Sequence, residues 1–585
     1  MRTRYLRIME KSLSAYADTH IRRYLGEVKR EGLTEHGFPR LTSNIGILMA
    51  HGIRTDLSEL FCEMMETCCT QIPKVKAAND FSVREVISCL GELERAGLFT
   101  ADLSRWKGCL AEIDPLTCYN VYAKSPDSGV RNWALFSAVS EFYRQRMGLC
   151  DSTSFIDLQI EVQLKWLDEN GMYCDAGGHA HQPIMYDHVS RGLFALLLTH
   201  GYEGKHYAAI DDCLRRAGRM TPDMQSVTGE MAFGGRSNQF IHNEGWLAAL
   251  LEYEARRYAR EGDMPLAKRF KSAARRAAEA AESWLSETPV RHVKNRYPTE
   301  TKQGCEAYAY FDKYMITTAS NFHAAYQICD EAIPALPEED TAPAVCATSD
   351  RFHKLFLKAG GYGLELDLNA DPHYDASGLG RIHRAGAPSA ICLSMPCPEA
   401  PGFTVDLDTP VAVSFCPAQR TPEGWRFASS PASRWIVESQ NKKPDSAEAA
   451  LSCAFGDQAV TINYAVSAEG VSITQQGEGK QYHAIPVLTF DGEIHPHVTV
   501  EASAITVAYK GWLCRYTVSG SITDTGITAA NRNGRYRVFA AEDEGAVRVN
   551  VEIIRNSEFG IEGAGKRADL SQSLPLHTLR SLPVL

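Results

Sequence analysis

Apolar residues in the first 330 positions recur at intervals of three and four, the period of an amphipathic helix. This pattern predicts helices over 185–200 and 245–260. The alanine-rich stretch 266–285 has the composition of a strong helix former, and Pro265 suits a first helical turn. By the apolar period we expect about ten to fourteen helices joined by short polar loops. Paired helices that return on themselves favour an (α/α) toroid.

The pattern changes at a proline-rich stretch. Three prolines, an acidic run and several alanines indicate an extended linker over 336–352. Beyond it, apolar and polar residues alternate with the period of half-buried strands, and helical patterns are scarce. Alternation is clearest over 460–466, 498–501, 505–509 and 547–553.

These two periodicities predict the domain organisation. We expect an α+β multidomain protein with an N-terminal (α/α) toroid as catalytic domain over 1–335. An antiparallel β-sandwich or β-sheet domain should follow over 353–585. At 585 residues the chain is too long for one ordinary core, which also favours two domains or more.

Composition narrows the class of protein. Apolar and charged contents of 44% and 23% are typical of a soluble globular protein. A net charge of −11 argues against a nucleic-acid partner. We find no secretory signal pattern and no apolar run of membrane-spanning length, so we expect a cytoplasmic protein without a membrane partner. The 17 scattered cysteines fit free thiols in a reducing compartment.

The stretch from Gly229 to Glu244 concentrates more polar chemistry than any other part of the chain. It combines two carboxylates, a fixed cation, amides, an imidazole and three glycines at a predicted loop-to-helix junction. Glycines let a backbone approach a ligand closely, and polar groups at a helix start converge on one point. A capped polar loop would be the alternative interpretation. We favour a functional site.

The residue types point to an acidic sugar as the ligand. A uronate carboxylate suits a planar guanidinium, and Arg236 is the leading candidate for this contact. Glycoside hydrolysis requires a protonated acid and a second carboxylate, for which Glu230 and Glu244 are the obvious pair. The catalytic candidates are Glu230, Glu244, His242, Asn243, Asp187 and Tyr314. The candidates for substrate binding are Arg236, Asn238, Gln239, His188, Lys294, Arg296, Glu306, Tyr310, His373, His383 and Arg384.

No cofactor is expected. The run with His179, His181 and His188 matches no closed zinc pattern, so we predict no metal. The expected partner is an oligosaccharide containing uronic acid, and assembly into a homo-oligomer is left open.

Several of these strings, taken together and in order, resemble glycoside hydrolase family 154. The likeness is strong over roughly 115–330 and looser over 375–384. It rests on Tyr186-Asp187, 224–226, Gly229-Glu230, 234–239, Asn243-Glu244, 293–297, Glu306, Tyr308 and Tyr314. The resemblance implies an (α/α) toroid followed by an antiparallel β-domain, with β-glucuronidase activity in a polysaccharide-degrading context. Phe240-Ile241-His242 departs from the more polar run typical of those hydrolases.

The same architecture resembles the heparinase II/III-like polysaccharide lyases, so β-elimination is one alternative to hydrolysis. A non-catalytic glycan-binding protein is the other. In a lyase, an Asn or His neutralises the uronate carboxylate and a Tyr or His removes the C5 proton. Asn243 and His242, with Tyr310 or Tyr314, could fill those roles. We expect an exo-acting, β-glucuronidase-like hydrolase first, a β-eliminating lyase second and a non-catalytic glycan-binding protein third.

Overall fold

The computed structural model describes residues 1–175, 184–336 and 342–556. Within them, fourteen α-helices precede every β-strand of the chain. The helices are α1 Arg2–Leu13, α2 Asp18–Glu31, α3 Gly37–Ala50, α4 Ser58–Gln71, α5 Asn79–Ala96, α6 Thr100–Ala111, α7 Pro115–Cys118, α8 Trp133–Arg146, α9 Thr153–Leu164, α10 Ile184–Thr199, α11 Tyr207–Met224, α12 Asn243–Arg260, α13 Met264–Trp284 and α14 Phe311–Ile328.

Six of these helices close into a ring. Helix α3 packs on α5, α5 on α8, α8 on α10, α10 on α12, α12 on α14, and α14 returns to α3. Helices α1, α4, α6, α9, α11 and α13 pack outside that ring. Each outer helix carries the chain back, so the inner helices run in the same direction. The predicted (α/α) toroid is confirmed.

Close contact between the inner helices depends on glycine. Gly192 of α10 faces Trp246 of α12, and a Cβ at Gly192 would lie 2.3 Å from Trp246 Cε3. Gly245 of α12 faces α14, where a Cβ would lie 2.6 Å from Asn321 Cβ. Two larger residues here would push the ring helices apart, because packed cores tolerate added volume poorly.

The second half of the described chain is an antiparallel β-structure, as the alternating pattern predicts. Its strands are β1 Ala344–Ala347, β2 Lys354–Ala359, β3 Tyr362–Asp367, β4 Gly378–Arg384, β5 Pro417–Thr421, β6 Gly424–Phe427, β7 Arg434–Lys442, β8 Ala447–Phe455, β9 Gln458–Val466, β10 Val471–Phe490, β11 His497–Val500, β12 Ala504–Tyr509, β13 Trp512–Val518, β14 Ser521–Ala530 and β15 Arg535–Arg555.

The strands form two sheets. The first has the order β1-β2-β3-β4. The second has the order β11-β12-β13-β15-β10-β9-β8-β7, with β14 on β15 and β5 joining β10 to β6. Leu355 and Leu364 belong to the apolar core between these strands. Phe352 and Phe356 belong instead to the helical core, so the first sheet also packs against the toroid.

One strand lies where the proline pattern predicts a linker. Strand β1 falls inside 336–352 and pairs with β2 from Ala344 to Ala347. Its side chains alternate between buried and half-buried positions, a short period that the surrounding prolines obscure in the sequence. Residues 337–341 of that segment and 557–585 of the predicted β-domain lie outside the described residues. None of the described helices combines the length and apolar character needed to cross a bilayer.

Replacement of Gly192 by alanine tests the contact between α10 and α12. The added Cβ must displace Trp246, so we expect the free energy of unfolding to fall by about 1–3 kcal/mol. Urea unfolding followed by circular dichroism measures this change. The matched control is Gly108→Ala in α6, where a Cβ meets no atom within 4 Å and helix propensity should add up to about 1 kcal/mol. Equal stability of the two variants would contradict the packing described here.

Candidate functional site

The first turns of all six inner helices surround one cavity, the ring cavity. Its volume is about 360 Å³. Arg40, Phe81, Trp133, Tyr186, Trp246 and Tyr314 each come from the first turns of a different inner helix. The other lining residues are His36, Ala78, Asn132, Phe136, Met185, Val189, Arg236, Ser237, His242, Tyr308, Lys313, Thr317 and Asn321.

The charged side chains that line the cavity in the described part of the chain are all cations. Two of them are ion-paired with carboxylates that do not line it, Arg40 with Glu85 at 3.4 Å and Arg236 with Asp175 at 3.1 Å. Arg40, Arg236 and Lys313 line the cavity, and none of its lining residues in the described part of the chain is an Asp or a Glu. The N-terminus of each helix adds a partial positive charge, equivalent to roughly half an elementary charge, from unpaired backbone N–H groups. Six such ends and three cations favour an anionic ligand.

Arg236 is held in place from one side. Its Nη2 donates to Asp175 Oδ2 at 3.1 Å, and the guanidinium lies 4.7 Å from the centre of the Tyr186 ring. The side chain keeps 40% of its exposure. A guanidinium has five N–H donors, so Arg236 retains donors for a ligand carboxylate.

Three hydroxyl groups form a chain along the wall of this cavity. Ser237 Oγ lies 2.8 Å from the Tyr308 hydroxyl and 3.1 Å from the Tyr186 hydroxyl. Burial, with the neighbouring Tyr and Glu groups, raises the pKa of Tyr308 above its ordinary value. Burial also raises the pKa of Tyr186. Both phenols therefore carry their protons at neutral pH and can donate hydrogen bonds.

His242 and Tyr314 lie side by side in the cavity. Their ring centres are 5.5 Å apart, and the His242 ring stacks on Phe240. Burial and the nearby Arg40 lower the pKa of His242 well below its ordinary value, so the imidazole is neutral at pH 7. Its Nδ1 has no hydrogen-bond partner among the described residues. Burial raises the pKa of Tyr314, which keeps its phenol protonated.

Four carboxylates accept hydrogen bonds from the backbone of the loop before α12, and we call this arrangement the clamp. Every second backbone N–H from 231 to 237 donates to one of them, which fixes an extended path along the cavity wall. The pairs are Met231 to Glu244 at 3.1 Å, Phe233 to Glu365 at 3.1 Å, Gly235 to Asp375 at 2.5 Å and Ser237 to Glu306 at 2.6 Å. Glu365 and Asp375 belong to the β-domain, so both halves of the chain hold this loop.

The clamp ends in backbone conformations that side chains rarely adopt. Ser237 has φ +59° and Gln239 has φ +64°. Each such residue costs of order 1–3 kcal/mol, and the surrounding structure must compensate. Asn243 helps, because its Nδ2 donates to the Ser237 carbonyl at 3.0 Å. Asn243 does not line the cavity, which differs from its predicted contact with substrate.

The predicted acid–base pair, Glu230 and Glu244, lies outside this cavity. Lys294 bridges the two carboxylates, at 2.5 Å from Glu244 Oε1 and 3.8 Å from Glu230 Oε2. Burial opposes ionisation of Glu230, but Lys294, His383 and Arg381 lower its pKa to about 2. Burial raises the pKa of Glu244, and Lys294 offsets this only in part. Glu244 serves as a loop clamp here, so the dense run in the sequence has an architectural use.

Asp187, also predicted as catalytic, is a buried structural group. Its carboxylate pairs with Arg191 and accepts the Tyr173 N–H at 2.8 Å. His188 beside it is buried as well, and burial together with Arg191 lowers its pKa to about 3. Neither side chain lines the cavity, because α10 turns both toward the core and presents Met185, Tyr186 and Val189 to the cavity instead.

The predicted substrate-binding amides brace the loop. Asn238 Nδ2 donates to the Ala232 carbonyl at 3.2 Å, and its Oδ1 accepts from Gln239 Nε2 at 2.6 Å. Gln239 Oε1 in turn accepts from Asn533 of the β-domain at 3.4 Å. Glu306 pairs with buried Arg532, at 2.7 Å between Oε1 and Nη2. None of Asn238, Gln239 and Glu306 lines the cavity.

The remaining candidates are spread over the molecule. Arg296 pairs with Glu287 and lies 3.1 Å from Asp491, in a different cavity. Tyr310 and His373 are exposed, the latter beside Asp371. Arg384 donates to the Gly360 carbonyl in the β-domain. The first cavity thus collects only Arg236, His242 and Tyr314 from the sequence candidates. His179 and His181 lie outside the described residues.

His383 ties the β-domain to the toroid. Its Nδ1 lies 2.7 Å from Ser226 Oγ, and its Nε2 lies 2.8 Å from Ser394 Oγ. Burial, reinforced by Arg381, lowers its pKa to about 3. A neutral, fully hydrogen-bonded imidazole in this position is a structural group. The predicted contact with substrate receives no support from these distances.

Several cavity residues escaped the sequence predictions. Arg40 is the only charged residue of the buried helix α3, and an isolated charge in an apolar helix is a signal that could have identified it. His36, Lys313 and Asn321 carry no comparable signal, because they come from separate segments that only the closed ring brings together.

Removal of Arg532, the buried cation that pairs with Glu306, should lower the stability of the protein. Arg532 is fully buried, so Arg532→Met leaves Glu306 without its countercharge and should lower the free energy of unfolding by about 3–5 kcal/mol. The control is Lys443→Met, which breaks an exposed pair with Glu448 and should cost about 0–1 kcal/mol. Urea unfolding compares them. Losses of similar size would show that the Glu306 pair does not anchor the loop.

His383 also predicts a pH dependence of stability. Below pH 6.5 and above pH 3 the unfolded chain binds a proton at this residue that the folded chain does not, so stability falls as the pH falls. The slope contributed is at most about 1.4 kcal/mol per pH unit. We expect His383→Asn to flatten the dependence of the unfolding free energy between pH 6.5 and 4. An unchanged slope in His383→Asn would refute the assignment.

Comparison with known proteins finds solved structures that are similar to this chain only at low sequence identity and low TM-score. No protein-family model matches the chain, and no curated protein matches it. Among solved structures, a mutant of the heparan sulfate lyase HepC from Pedobacter heparinus has 9% identity and a TM-score of 0.44, covering 88% of this chain and 75% of its own. A heparinase III has 8% identity and a TM-score of 0.46, covering 89% and 79%. A chondroitin AC lyase from Streptomyces coelicolor A3, in complex with chondroitin sulphate, has 11% identity and a TM-score of 0.41, covering 94% and 82%. Values this low say nothing about substrate or activity.

Proposed function

We propose that this protein cleaves oligosaccharides containing uronic acid by β-elimination. The observation that carries the proposal is the composition of the cavity in the ring. Three cations, a neutral imidazole and protonated tyrosines line it, and the described lining residues include no carboxylate. β-Elimination at a uronate needs a group that neutralises the carboxylate, a proton acceptor and a proton donor.

The carboxylate of the uronate is bound by the cations. Arg236 presents a guanidinium that suits bidentate contact, and Arg40 and Lys313 add positive charge. Neutralising the carboxylate stabilises the negative charge that develops when the C5 proton leaves. Asp175 and Tyr186 hold the Arg236 side chain, which reduces the entropy lost when the substrate binds.

Proton transfer is assigned to His242 and a tyrosine. The neutral His242 imidazole accepts the C5 proton, the C4–C5 double bond forms and the C4–O bond breaks. The Tyr314 phenol, protonated and adjacent to His242, donates its proton to the leaving oxygen. His242 then returns a proton to the phenolate, directly or through water. The enzyme ends in its starting protonation state.

Hydrolysis by a β-glucuronidase-like mechanism has less support. It needs two carboxylates on either side of the scissile bond. Glu230 and Glu244 are bridged by Lys294 and do not line the cavity. The cavity volume, about 360 Å³, is near the lower end for small-molecule sites and fits a chain end or a short oligosaccharide. Exo-action therefore stays part of the proposal.

An absorbance assay tests the proposal directly. An oligosaccharide with a uronic acid substituted at O4 should give a product with a conjugated double bond, detected by its ultraviolet absorbance. Because positioned proton transfer contributes about 10²–10⁴-fold, His242→Gln should lower the rate by that factor. Tyr310→Phe, exposed and outside the cavity, is the matched control and should keep the wild-type rate.

Two outcomes would contradict β-elimination. New reducing ends without a rise in absorbance would indicate hydrolysis. Saturable binding of the oligosaccharide without either signal would indicate a glycan-binding protein.

A further inference from the structure

A second cavity lies between the toroid and the β-domain. Its volume is about 270 Å³, and its walls come from the C-terminal end of α13, the turn before Glu230, the loop 386–390 and the hairpin between β12 and β13. The described lining residues of this interdomain cavity and those of the ring cavity do not overlap. Ligand sites occur preferentially at such domain boundaries.

The charges of the interdomain cavity are balanced. Glu230 and Glu287 face it from the toroid side, together with Arg296, and Lys510 faces it from the β-domain. Arg296 is ion-paired with Glu287, and Lys510 Nζ lies 3.2 Å from the same carboxylate. A cavity with two acidic and two basic groups attracts neither an anion nor a cation strongly, in contrast to the ring cavity.

Its other walls combine aromatic rings with a buried acceptor. Trp284 and Trp512, both half-buried, line it from the two domains. Glu230 is 95% buried at its side chain, and Oε1 accepts the Trp284 Nε1 proton at 3.2 Å. Within the described residues, Oε2 accepts no hydrogen bond, and its nearest cation is Lys294 at 3.8 Å. Glu230 lines the cavity, so its carboxylate can accept a hydrogen bond from a ligand hydroxyl there.

We propose that the interdomain cavity binds a neutral hexopyranose ring. An indole face covers the apolar C–H face of the sugar, the Glu230 carboxylate accepts from one hydroxyl, and Lys510 donates to another. Aromatic and carboxylate groups with balanced charge are what a polyhydroxylated, uncharged ring requires. This inference does not depend on the proposed β-elimination, because the two cavities have different walls and different charge.

Saturation-transfer difference NMR with methyl β-D-glucopyranoside tests the site. We expect saturation transfer to the sugar with the wild-type protein. The variant Ser283→Trp places a large ring in the cavity from an exposed position that leaves the core intact, and it should weaken binding at least about tenfold. Trp512→Ala removes one aromatic wall and should have the same effect. Circular dichroism checks that both variants are folded.

A matched pair of controls separates the two cavities. Trp133→Ala alters only the ring cavity and should leave the glucopyranoside signal unchanged. With D-glucuronate as the probe the pattern should reverse, so that Trp133→Ala weakens the signal and Ser283→Trp does not. Absence of a glucopyranoside signal with the wild type, its persistence in Ser283→Trp, or its loss in Trp133→Ala would each overturn the proposal. Failure with D-glucuronate alone would count against the function proposed for the ring cavity.

Discussion

Every second backbone N–H of the loop 231–237 donates to a buried carboxylate, and the shape of the ring cavity depends on these hydrogen bonds. The acceptors come from three parts of the chain: α12, the segment before α14 and the β-domain. Three of the four, Glu244, Glu306 and Glu365, are ion-paired with Lys294, Arg532 and Lys354. Burying an unpaired carboxylate is costly, so the cations are as necessary to the loop as the acids are.

The clamp explains where the functional side chains point. The N–H groups of 231, 233, 235 and 237 are directed at carboxylates, and Ser237 adopts a left-handed conformation. Its hydroxyl then reaches both Tyr186 and Tyr308, from separate segments. Arg236, the preceding residue, extends into the cavity over the Tyr186 ring. One loop therefore orients a cation and two phenols in the cavity that the six helix N-termini surround.

The fold could be derived from the sequence because it rests on periodic burial. Segments such as 245–260 and 505–509 keep a single period throughout, and both lie within elements of the predicted type. The site was harder to predict, since polar density does not distinguish a clamp from a catalytic group. Glu230 and Glu244 have the residue type and spacing of an acid–base pair, yet one lysine bridges them. Arg40 and Lys313 are 273 positions apart in sequence, and only ring closure places both at the cavity.

The dependence of the loop on Arg532, Glu365 and Asp375 has a consequence for modularity. These residues belong to the β-domain, whereas the groups they orient belong to loops of the toroid. A shuffled gene that joined this toroid to an unrelated β-domain would retain every lining residue of the ring cavity while losing the partners that set their geometry. Evolution could exchange the halves only together with the contacts between them, so the two domains are expected to diverge as one unit.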